Sequence, residues 1–301
     1  MNPWLMAARP RTLPAAIAPV LVGTAAAYFT IEEAASSSGD TSINWLAFAA
    51  AMLGSAFIQI GTNLANDYSD AKRGADTADR LGPVRVTSAG LVAPRRVLHA
   101  TWIAFALAMV TGVYLATVAG PEIIAIGLVS ILAGVLYTGG PRPYGYAGMG
   151  ELFVFVFFGL VAVNGSYYVQ LEELDALPLL LSVPVGLLST AILVVNNVRD
   201  LDTDARAGKR TLAVRLGRQR TRILFSALIA ASFALVAIGL WLGEGPAAGL
   251  LALLSAPLAV GPHRAVWTRT DGPALNGALA GTGALLAGFS LLLAAGLVLG
   301  G

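Results

Sequence analysis

The chain has 301 residues, 56% hydrophobic and 12% charged, with a net charge of +2 and a mean hydropathy of +0.74. Soluble domains carry roughly 25% charged residues, so the composition excludes an ordinary soluble globule and reads as an all-α integral membrane protein. Cysteine is absent, which excludes disulfides, thiolate metal centres and cysteine nucleophiles, and His99 and His263 are too few for a histidine-rich metal site.

In chain order, Arg9-Pro10-Arg11 precedes a first apolar run at 12–30. Its length and the prolines within it, Pro14 and Pro19, favour a span over a cleaved leader. Further runs at 43–65, 97–118, 122–138, 150–170, 178–197, 222–242, 246–262 and 273–299 bring the expectation to nine transmembrane helices in one domain covering 1–301. Every Lys and Arg falls before the first run or between runs two and three, four and five, six and seven (with Arg222 at the very start of run seven), or eight and nine. The alternate connections hold Glu32, Glu33, Asp40, Glu122, Glu172, Glu173, Asp175 and Glu244 and no cation. Cationic loops face the cytoplasm, so the N-terminus is expected inside and the C-terminus outside.

Two inside loops, at about 66–96 and 198–221, are long and rich in Asp, Lys, Arg and Gly. The first opens with Asn63, Asn66, Asp67 and Asp70, which share one face if the preceding helix continues. The second opens with Asn197, Asp200 and Asp204 in matching register. Two such faces in the same orientation suggest a duplicated unit that brings them to one cavity.

Facing carboxylates repel unless something positive lies between them, and hard oxygen donors select Mg²⁺, which bridges carboxylates to phosphate. Lys72, Arg73, Arg85, Arg199 and Lys209 lie close by in sequence and suit an anionic phosphate group. Together these residues read as a Mg²⁺–pyrophosphate site whose substrate has a lipid tail. The plainer alternative for either cluster alone is a set of solvated loop charges. Asp79 and Asp202 read as loop residues. A third inside stretch, Tyr137 to Glu151, is a Pro- and Gly-rich turn. Glu151 there enters the membrane, where a lone carboxylate is costly, and the stretch fits either a substrate-facing role or an aromatic belt with a capping acid. A secondary transporter would place its carboxylates at mid-membrane, whereas these sit beside basic loops.

The segments 8–14, 66–70, 82–85, 137–141, 167–170, 196–200 and 208–213 resemble the UbiA-type intramembrane aromatic prenyltransferases. They favour the branch that prenylates 1,4-dihydroxy-2-naphthoate in menaquinone synthesis. The resemblance implies helices around a central lipid-open cavity, with Mg²⁺ holding the pyrophosphate of a polyprenyl diphosphate. It carries the first motif onto Asn66, Asp67 and Asp70, and the second onto Asp200 and Asp204, with Asn197 beside it. Many members have another Asp where this chain has Gly74; Asp76, the next acid, resembles the naphthoate branch and is carried over as a further Mg²⁺-site residue. Pyrophosphate would meet Lys72, Arg85, Arg199 and Lys209; the aromatic acceptor would meet Arg9, Arg11, Asn63, Tyr137 or Glu151, with Arg9 and Arg11 fitting either the acceptor carboxylate or the pyrophosphate. The implied reaction is prenyl transfer with loss of CO₂ in a bacterial inner membrane, with no nucleic-acid partner. 4-Hydroxybenzoate, homogentisate or haem are the alternative acceptors.

Overall fold

The computed structural model describes residues 2–38, 42–75 and 81–301, and every regular element among them is helical. Asp76 and Asp79 lie outside the described residues. The chain begins with α1 (Pro3–Ala8), a 3₁₀ turn (Pro10–Thr12) and α2 (Leu13–Ser38), then α3 (Trp45–Arg73), α4 (Pro94–Ala119) and α5 (Glu122–Leu136). A 3₁₀ turn (Tyr144–Ala147) leads into α6 (Gly150–Val154), a π-helical stretch (Phe155–Val161) and α7 (Ala162–Leu171), which together make one span. There follow α8 (Ala176–Arg206), the short α9 (Leu212–Leu216), α10 (Arg218–Trp241), a 3₁₀ segment (Ala247–Ser255), α11 (Pro257–Thr268) and α12 (Gly272–Gly300).

All nine apolar runs are helical, but they are not nine equal crossings. Seven stretches among the described residues are long and apolar enough to span a membrane, and an eighth is gained if a bent pair counts as one. That pair is Ala247–Ser255 with α11, broken by 41°. Pro257 opens α11, and with no N–H to donate it cannot continue the preceding ladder. The ninth, α5, has 15 residues; at 1.5 Å per residue it covers about 22 Å of a roughly 30 Å hydrocarbon core.

The boundaries that matter most are those of α3 and α8. Both continue through their acidic clusters, to Arg73 and Arg206, so the stretches expected as loops at 66 and 198 begin as helix. Gly74 ends α3 in the left-handed conformation, φ 64°, with its N–H returned to the carbonyls of Ala71 and Asp70. Glycine adopts this conformation at little cost, which gives the departure at Gly74 a structural reason. Lys72 and Arg73 complement the dipole in the last turn of α3.

α8 is the central helix: 72% of its apolar window is buried, against 28% for α3, α4 and the α6–α7 span. It packs on α10, α12 and the π stretch, while α2 lies against α7 and α12, and α3 against α4. Val22, Tyr167, Leu181, Leu188, Phe225 and Phe289 are among the side chains of the main core. Small residues let these backbones approach. A Cβ at Gly23 would meet the Val163 carbonyl, and one at Gly159 would lie 2.7 Å from the Gly186 Cα. Trp102, Ile103, Val110 and Trp241 are exposed on the outer surface, as expected of side chains that face lipid.

Candidate active site

A cavity of about 360 Å³ runs into the bundle between α2, α3, α5, the π stretch and α8. Its wall is apolar over most of its length, with Ile58, Leu115, Ile126, Phe153, Phe157 and Leu193 among the lining side chains. Its polar side chains include Arg9, Asn63, Asp70, Arg85 and Tyr146 from the first half of the chain, and Asn197, Asp200, Asp204 and Lys209 from the second. The two acidic clusters, 130 residues apart from Asp70 to Asp200 in sequence, therefore open onto one space.

Each carboxylate there already meets a donor. Asp70 is 1% exposed; its Oδ2 accepts from Arg85 Nη2 at 2.7 Å and its Oδ1 from the Tyr146 hydroxyl at 2.5 Å. Asp204 pairs with Lys209 Nζ at 3.4 Å, and that ammonium stands 4.8 Å from the centre of the Tyr146 ring. Arg73 lies 6.0 Å from the same ring centre and donates to the Thr138 and Gly140 carbonyls. Tyr146 thus joins the two clusters, through its hydroxyl to one and its ring to the cation of the other. The sequence reading missed it; its place in a Gly- and Pro-bounded turn facing both clusters is a tertiary fact.

Asp200 is gripped by its neighbour Arg199, through Nε to Oδ1 at 2.8 Å and Nη2 to Oδ2 at 2.6 Å. Arg199 is fully buried and does not line the cavity. Two residues past Asn197, it lies about 200° around the helix, facing α12. Lys72 is likewise two residues past Asp70 and is exposed off the cavity, so neither cation points where a pyrophosphate-binding role was expected. Arg85 and Lys209 do.

The first motif divides in the same manner. Asn63 lines the cavity, and its Nδ2 donates to the Ala8 carbonyl at 3.0 Å and to Thr12 Oγ1 at 3.1 Å. Asn66 and Asp67 are buried outside the lining. Asn66 Oδ1 accepts from Thr138 at 2.8 Å; the Asp67 carboxylate takes the backbone N–H groups of Val86 at 3.1 Å and Thr87 at 2.9 Å. Among the acceptor candidates, Arg9 lines the cavity in a left-handed backbone conformation, φ 53°, a strained state for a residue with a side chain. Arg11 is exposed and off the lining. Tyr137 lines it, with its ring 5.4 Å from that of Tyr144. Glu151 sits behind Asn197, whose Nδ2 donates to Glu151 Oε1 at 2.8 Å; the other oxygen, Oε2, is buried with no hydrogen-bond partner among the described residues. Asp202 is exposed near the end of α8, on helix where a loop was expected, and pairs with Arg218.

An all-helical bundle with membrane-length helices, and one apolar cavity bounded by carboxylates and cations from two helix ends, defines a multi-pass membrane protein shaped to hold an amphiphile with a charged head. Residues 17–279 match the model of the UbiA prenyltransferase family. The chain is 46% identical over 261 residues to a 1,4-dihydroxy-2-naphthoate octaprenyltransferase of Mycobacterium tuberculosis, covering 87% of this chain and 86% of that one. It is 41% identical to the protein of the same description from Mycobacterium leprae, covering 99% and 97%. Among solved structures, a UbiA homolog from Archaeoglobus fulgidus bound to GPP and Mg²⁺ superposes with a TM-score of 0.62 at 15% identity, covering 97% of this chain and 99% of that one. The chain belongs to the UbiA prenyltransferase family.

Proposed function

We propose that the chain transfers a polyprenyl group from a polyprenyl diphosphate to 1,4-dihydroxy-2-naphthoate, releasing CO₂ and pyrophosphate and giving demethylmenaquinol. The observation that carries the reading is the opening of Asp70 and of Asp200 with Asp204 onto one cavity whose remaining wall is apolar. Relatives that cover most of the chain and carry the naphthoate description support the choice of acceptor.

The donor set fits Mg²⁺. Asp70, Asp200 and Asp204 offer only hard oxygens, and Mg²⁺ is commonly held by one or two carboxylates plus substrate phosphates. Bound there, it would neutralise charge on the departing pyrophosphate. Arg85 and Lys209 hold the same phosphates by charge-assisted hydrogen bonds. The apolar wall takes the prenyl chain and keeps water from the allylic cation formed at its C1 as the C–O bond breaks. Arg9 meets the acceptor carboxylate, and Asn63 and Tyr137 flank the ring. The naphthoate ring carbon attacks C1; its carboxylate leaves as CO₂, and the bonding pair restores the aromatic ring. Asp67 and Arg199 act behind the wall by fixing the Arg85 turn and Asp200. The site faces the cytoplasm of a bacterial inner membrane, with the C-terminus on the opposite side.

The test is an acceptor panel on purified protein with polyprenyl diphosphate and Mg²⁺. Prenylation of dihydroxynaphthoate with CO₂ release is expected; prenylation of 4-hydroxybenzoate alone would overturn the acceptor assignment. EDTA is expected to abolish product formation and excess Mg²⁺ to restore it.

A further inference from the structure

The segment after the described end of α3 carries Arg85 on a closed turn. Ala89 N–H returns to the Arg85 carbonyl and Leu91 N–H to that of Val86, both at 3.0 Å. Val86 is fully buried in a small cluster with Ala7, Leu64 and Val97. Asp67 holds the turn from α3 through the backbone N–H groups of Val86 and Thr87. A second hold comes from α12. Asn276 Nδ2 donates to the Leu81 carbonyl at 3.2 Å, and a Cβ at Gly272 would stand 2.8 Å from that same oxygen. The other end of the Asn276 amide accepts from Arg199 Nη1 at 2.8 Å. Arg199 spends three further N–H groups on both Asp200 oxygens and on Asn196 Oδ1, the last at 2.7 Å.

We propose that Asn276 is a positioning residue that couples the two halves of the site. The chain of contacts runs from Asp200 through Arg199 and Asn276 to Leu81, and through the closed turn to Arg85 and Asp70. It passes outside the cavity, since neither Arg199 nor Asn276 lines it. An amide suits the position because it donates and accepts at once: its oxygen receives the buried guanidinium while its nitrogen holds Leu81, four residues ahead of Arg85. The contact fixes where the Arg85 guanidinium stands relative to Asp200, and hence the width of the space between them. Phosphate recognition by arginine is directional, so a shifted fork loses hydrogen bonds without losing charge.

The proposal rests on the diphosphate reading above, and its test separates the two. Binding of inorganic pyrophosphate in the presence of Mg²⁺ is measured by calorimetry on the detergent-purified full chain, for wild type, Arg85→Ala, Asn276→Ala and the double variant. Wild type is expected to bind, and each single substitution to weaken binding about ten-fold, the scale of one well-placed hydrogen bond. The double variant is expected to be no weaker than Arg85→Ala, because coupled residues are non-additive. Gly272→Ala, which displaces Leu81 from a different contact, is expected to reproduce the Asn276→Ala loss. Wild-type affinity in Asn276→Ala, or a double variant weakened by the product of the single effects, overturns the coupling and leaves the diphosphate reading intact. Absence of pyrophosphate binding in wild type, or no loss in Arg85→Ala, overturns the diphosphate reading and the coupling with it.

Discussion

Asp70 is buried at the junction of Arg85 and Tyr146 and opens onto the cavity, so its charge is both compensated and available. Asp70→Asn keeps the shape and removes the charge. Turnover should fall by about 10²–10³, the scale of losing a preorganised electrostatic contact to a transition state, with the protein still inserted and folded. Asp67→Ala should behave differently. It strips the buried N–H groups of Val86 and Thr87 of their acceptor, at about 1–3 kcal/mol for each unsatisfied group. A clear fall in the thermal unfolding midpoint in detergent should therefore accompany the loss of activity. Helix geometry accounts for the difference between these neighbours. Relative to Asn63, Asp70 lies about 20° away, Asp67 about 40° to one side and Asn66 about 60° to the other, at roughly 100° per residue. All four share a face in the sequence, yet the cavity takes only the centre of that arc. Its flanks are taken by the Arg85 turn and by Thr138. Which element lies on each flank is decided by tertiary packing, which helical spacing does not encode.

At the scale of elements, hydropathy was a faithful guide to where helices form and a poor one to how each crosses. The run at 246–262 contains no charge, so nothing in its composition marks the 41° bend beyond Pro257. The run at 122–138 ends early because Gly139, Gly140 and Pro141 open the turn that carries Tyr146. Packing of the π stretch on α8 depends on the facing pair Gly159 and Gly186. Gly159→Leu should push the π stretch off α8 and shift Phe157 and Phe158 in the cavity wall. Loss of folded yield and thermal stability is expected, whereas the same substitution at Gly261, off the cavity and with open space around its Cβ position, should be tolerated.

For the whole molecule, the alternation of cationic and acidic connections predicts a cytoplasmic N-terminus, an orientation that labelling can test without background because the chain has no cysteine. A cysteine at Arg95 should be modified only from the cytoplasmic side and one at Gly301 only from the opposite side. Labelling of both from one side would remove the topology on which the cytoplasmic site depends. The central claim is that two helix ends distant in sequence act as one clamp on a prenyl diphosphate. Pyrophosphate release measured with polyprenyl diphosphate, dihydroxynaphthoate and Mg²⁺ tests it most directly, in wild type, Asp70→Asn and Asp200→Asn. The account predicts release matched by CO₂ in wild type and its loss, by about two orders of magnitude or more, in both variants. Wild-type release in either variant would contradict it.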